Sequence, residues 1–149
     1  MIVAKFLHIL SVVIWVGGMF FAYMALRPVA AECLEPPQRL RLWAGVFARF
    51  FPWVWGSVAV ILGSGLHLMM SMGMPPAHYV TIMLVLGVVM MLLFAHVFFA
   101  PYKRLKRAVA AQDWPAGGAA LGQIRQLIAI NLSLGLVTVT VATLGVYLG

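Results

Sequence analysis

Acidic side chains are nearly missing from this chain. It carries 3 Asp and Glu against 10 Lys and Arg, for a formal net charge of +7. No charged residue at all stands between Arg49 and Lys103. Cys33 is the single cysteine, which excludes an intrachain disulfide and a thiolate metal cluster. Polar surface is equally scarce: only 9% of residues are charged and 64% are hydrophobic. A soluble domain of this length cannot hide so much apolar surface. The composition is that of a polytopic membrane protein. Its basic balance therefore concerns topology and anionic headgroups, not nucleic acid.

What is present is four apolar runs, each long enough to cross a bilayer of about 20 helical residues. They cover about 2–26, 51–72, 78–100 and 127–148. The first opens with Lys5 and an apolar stretch that resembles a secretory signal, but it is too long for one and reads as a retained span. Arg27-Pro28 is expected to end it, Gly73-Met74-Pro75-Pro76 to make a tight turn, and Pro101 to close span three. Residues 27–50 and 101–126 are polar connections. Gln38–Ala48 is expected as a short interfacial helix, and a break is expected at Asp113-Trp114-Pro115-Ala116-Gly117-Gly118.

Every basic residue except Lys5 lies in those two connections. Four spans place both on one side, the cytoplasm by the positive-inside rule. The expected fold is a single all-α transmembrane domain, an up-down four-helix bundle in a bacterial inner membrane. Both termini then lie on the non-cytoplasmic side.

The ionisable groups inside the apolar runs are the functional candidates, because such groups normally face a bundle interior or a partner. His8 and His67 lie at matching depth, roughly 7–8 Å from the same membrane surface at 1.5 Å per residue. His8, Ser11, Trp15 and Gly18 form one stripe of span one. Gly56, Ala59 or Val60, Gly63 and His67 form one of span two. Asn131, Gly135, Thr138, Ala142 and Gly145 give span four a small, weakly polar face. Such faces either bring backbones together or leave room for a flat ring.

The expectation is a b-type cytochrome-like protein with haem b between His8 and His67. Trp15, Gly18 and Gly63 line the ring, and His96 serves a second haem or a proton path. Two strong axial ligands favour electron transfer, with an unidentified donor and acceptor. Lys5 is the one cation on the side of the propionates. The plainer alternative buries the two histidines against backbone carbonyls, Ser11 or Ser64. A homodimer would help four short helices enclose a haem.

A second constellation surrounds the turn after span two. His67, Met69, Met70, Met72, Met74 and His78 offer thioethers and imidazoles, which suit Cu(I). Met69 and Met70, being consecutive, do not share a helix face.

The pattern Leu7-His8 with Trp15-Val16-Gly17-Gly18 resembles the opening span of the copper-resistance D (CopD-type) membrane family and of the related HemJ-type protoporphyrinogen oxidases. Arg49-Phe50-Phe51-Pro52-Trp53, Gly63-Ser64-Gly65 and the stretch from Leu93 to Tyr102 are similar to short CopD-like proteins. The HemJ-type resemblance implies haem on the histidine matching His8. That branch carries a lysine early in span three, where this chain has Tyr79-Val80-Thr81-Ile82-Met83, so protoporphyrinogen oxidation is not expected. The CopD-type resemblance implies copper uptake, with larger members having more spans than four.

Overall fold

The computed structural model describes residues 2–73 and 76–148. No strand occurs among the described residues. The helices are α1 (Ile2–Phe21), α2 (Arg27–Cys33), α3 (Pro36–Met72), α4 (His78–Phe99), α5 (Pro101–Ala110) and α6 (Trp114–Leu148), with a π-helical turn at Ala22–Leu26 joining α1 to α2. Four continuous helical stretches are long and apolar enough to span a membrane.

The polar connections are therefore not loops. Arg27-Pro28 was expected to end the first span, but the helix passes through it on the π turn. The Arg27 N–H donates to Ala22 O, five residues back. That leaves Tyr23 O without its usual α-helical donor, and Pro28 has no N–H to offer. The Arg27 Nε supplies the bond instead, at 3.2 Å. Gln38–Ala48 is likewise no separate interfacial helix; it is the first third of α3, which continues through Pro52. Pro101 does close α4, and it sits in the first turn of α5, where a missing N–H costs nothing. The expected break at Asp113–Gly118 shrinks to Ala111–Asp113. Asp113 Oδ1 accepts from the Ala116 N–H, so α6 starts at Trp114 and runs through both glycines.

α3 holds 37 residues, about 56 Å at 1.5 Å per residue, against a hydrocarbon core of about 30 Å. The excess projects at the end that carries the arginines, called the basic end below. The other is the distal end. α1 packs chiefly on α3, while α4 and α5 pack on α6. Both pairs are antiparallel: His8 meets Ser64 and Gly18 meets Phe50. Tyr79 meets Gly145, Met90 meets Gly135 and Arg104 meets Gln123.

The core is densest toward the basic end. Leu40, Trp43, Phe47, Tyr102, Leu105, Ala108, Ala120 and Ile124 are all buried. Phe47 and Phe51 stack at 4.9 Å, and Trp55 meets Phe94 edge-on at 4.9 Å. Phe51 and Trp55 both reach Phe94 and so link α3 to α4 while keeping their backbones apart. α5 turns Tyr102, Leu105 and Ala108 inward and Lys103, Arg104, Lys106 and Arg107 outward. The small face of span four is a packing face. A Cβ on Gly135 would lie 3.0 Å from Val16 Cγ2, and one on Gly145 would lie 2.8 Å from Tyr79 Cβ.

The tandem glycines of α1 divide cleanly. A Cβ on Gly18 would lie 2.3 Å from the Phe50 ring, whereas one on Gly17 meets nothing within 4 Å. Gly18→Ala is expected to destabilise the detergent-solubilised protein by about 1–3 kcal/mol. Gly17→Ala is expected to be neutral or slightly stabilising, since it improves helix propensity. Thermal unfolding of the two variants side by side checks this pairing, and equal melting points would contradict it.

Candidate functional site

The distal end carries His8, His67, His78 and the methionines Met69, Met70 and Met72, and its centre is His8. The His8 ring is half-buried between α1 and α3, with Nδ1 at 3.0 Å from Ser64 Oγ. Ser64 Oγ also lies 2.6 Å from Val60 O. A carbonyl can only accept, so the single hydroxyl proton goes to Val60. Ser64 Oγ must then accept from His8, which places the imidazole proton on Nδ1. In that tautomer Nε2 carries the lone pair, the form in which imidazole binds a metal, and the ring also bonds the backbone of Ile61. The neighbouring Gly65 makes room for the ring: a Cβ there would lie 3.3 Å from His8 Cε1. Ser64 and Gly65 thus form a seat that fixes both the position and the tautomer of His8. The plainer expectation of a His8–Ser64 bond describes this contact, and it leaves one nitrogen unprotonated.

His67 is not part of that seat. It lies three residues beyond Ser64, about 60° around the helix at 3.6 residues per turn. Its side chain is exposed on the bundle surface. Gly56, Ala59 and Gly63 are exposed with it, and a Cβ on Gly56 or Gly63 would meet nothing within 4 Å. The stripe read from the sequence exists, but it faces outward. Trp15 is buried and packs edge-on to Phe94 at 6.3 Å, and Gly18 lies against Phe50. Together with the packed face of α6, these contacts fill the helix faces that were expected to close a central pocket. His96 is exposed near the basic end, far along α4 from the distal histidines.

Around the distal rim, Met70 is 78% exposed and Met72 54%, while Met69 is half-buried. His78 is exposed at the start of α4. Met74 lies outside the described residues. Soft sulfur is thus presented on the surface and imidazole both there and one layer deeper, a donor set suited to Cu(I). Among the described residues no group of three or more His, Cys, Asp or Glu is placed to hold a metal ion. Gly65 as the seat of His8 was not identified from periodicity. The only signal was its place in Gly63-Ser64-Gly65, directly after a serine at the depth of His8.

A family model described as CopD, copper resistance protein D, matches residues 44–144. That range begins within α3 and ends near the end of α6, so it contains Ser64, Gly65, His67, the methionines and His78 but not His8. No curated protein and no solved structure matches the chain.

The tautomer can be read directly. In ¹⁵N NMR of histidine-labelled protein, His8 is expected to show a protonated Nδ1 and a bare Nε2. Ser64→Ala is expected to abolish that preference. A protonated Nε2 in the unmutated protein would contradict the assignment.

Proposed function

The chain belongs to the copper resistance protein D family, and from that premise we propose that it handles Cu(I) at the distal end of its membrane bundle. The single observation that carries the reading is the His8 seat on Ser64, which lies about 9–12 Å along α3 from the exposed Met70 and Met72 at 1.5 Å per residue. Met70 and Met72 meet the ion first, as soft exposed donors; His67 and His78 stand on the same rim, and His8 offers the next donor inward. Met69 and Met74 complete the candidate set. Copper here is cargo, taken from one side of the membrane.

By the positive-inside rule the basic end is cytoplasmic and the distal end, with both termini, faces outward. Copper would then be received from outside the cell membrane, in keeping with an inner-membrane protein. A second copy fits the outward stripe of α3, where Gly56, Ala59 and Gly63 let a helix approach closely and His67 of each copy enters the interface.

The family match favours copper over haem b. A haem between His8 and His67 draws no support from it. The outward direction of His67 and the filled faces at Trp15 and Gly18 favour copper as well.

Titration of the full chain in detergent with Cu(I), against a chromophoric competitor, tests the reading. Stoichiometric binding is expected. His8→Ala is expected to remove the tightest site, and Ser64→Ala to weaken it about 10–100-fold by freeing the ring that the seat holds. A visible spectrum of protein grown with ample haem supplies the contrast. Sharp reduced-minus-oxidised bands lost in His8→Ala, with no copper retained, would overturn the copper reading in favour of the cytochrome.

A further inference from the structure

At the other end of the bundle, an open cleft of about 650 Å³ lies between the π turn and α6. It is lined by Tyr23, Arg27, Arg125, Gln126, Ala129 and Ile130. Two guanidinium-bearing residues and two polar side chains share it with two aliphatic ones, and no carboxylate lines it. Its height is set by the sequence: Arg27 closes the apolar run of the first span and Arg125 precedes that of the fourth. Both therefore mark the level where hydrocarbon gives way to headgroups.

Arg27 is held ready for a ligand. The π turn sets its backbone, its Nε is committed to Tyr23 O, and its guanidinium lies over the Tyr23 ring at 4.4 Å. Those contacts leave its two terminal nitrogens to donate. Arg125 is exposed across the cleft. A planar guanidinium fork matches phosphate geometry, and a side chain already fixed loses little entropy on binding. Ile130, 51% exposed, and Ala129 extend the cleft along α6 toward the hydrocarbon, as an acyl chain would run. π turns recur at functional positions, and this one is what turns Arg27 onto Tyr23.

We propose that this cleft is a binding site for an anionic phospholipid, with the headgroup phosphate between Arg27 and Arg125 and one acyl chain leaving along Ala129 and Ile130. The site is independent of the copper chemistry at the distal end. It differs from the cleft beside α5, where Arg104 and Arg107 stand over an alanine floor, because there Asp113 sets a carboxylate among the cations and disfavours a second anion.

Native mass spectrometry of the full chain in detergent, with added dioleoyl phosphatidylglycerol or dioleoyl phosphatidylcholine, tests the proposal. Retention of phosphatidylglycerol over phosphatidylcholine is expected. Arg125→Gln, at an exposed position, is expected to weaken phosphatidylglycerol binding about tenfold and erase the preference. Arg27→Lys keeps the charge without the fork and is expected to weaken binding, with a small drop in melting point from the lost bond to Tyr23 O. Lys103→Gln with Lys106→Gln is expected to leave the preference intact. Three results would each overturn the proposal: an unchanged preference in Arg125→Gln, an equal loss in the lysine pair, or full displacement of phosphatidylglycerol by millimolar inorganic phosphate. The last would make the cleft a site for free phosphate and not for lipid.

Discussion

A serine hydroxyl has one proton, and in this bundle that proton is given to the carbonyl of Val60. The consequences run outward from there. Ser64 can only accept from His8, so His8 must carry its proton on Nδ1 and keep Nε2 bare. An imidazole within a membrane helix normally has a partner. This one has a partner that satisfies it without consuming its capacity to bind a soft metal. Gly65 completes the arrangement by omitting the side chain that would push the ring away.

The two ends of the molecule are built on different terms. Toward the basic end, interlocked aromatic rings and fully buried Leu105 and Ile124 tie α3, α5 and α6 together beyond the membrane surface. At the distal end the helices carry small residues, exposed methionines and histidines, and few buried groups beyond Ser64. Regions with few buried contacts open at lower free energy than packed cores. A site that must accept and release an ion is well placed on the looser end, with the rigid end holding the helices in register.

Four membrane crossings, their alternation and the basic end were legible in the sequence, because hydropathy over some twenty residues is a strong signal. The helix ends were not. Pro28 and Pro115 read as breakers, yet one is absorbed by a π turn and the other sits in the first turn of α6; Pro52 is likewise carried inside α3. Proline removes one N–H, and the outcome depends on whether a neighbour supplies it, as Arg27 Nε does for Tyr23. The level of His8 against span two was legible to within a helical turn, since it meets Ser64, but the direction of His67 was not. Periodicity shows which residues share a stripe and says nothing about which stripe faces a neighbour. His67 fell on the outward stripe and Ser64, three residues earlier, on the inward one. Small residues were ambiguous for the same reason: on α6 they let Val16, Met90 and Tyr79 approach, and on α3 Gly56 and Gly63 face open space.

The central claim is that the nitrogen left unprotonated by the Ser64 seat, with sulfur from the neighbouring rim, is what holds the ion. X-ray absorption at the copper edge of Cu(I)-loaded full-length protein tests it most directly. The account predicts a first shell of sulfur together with imidazole nitrogen, and loss of the imidazole contribution in His8→Ala. A shell without sulfur, or one identical in the two proteins, would contradict it.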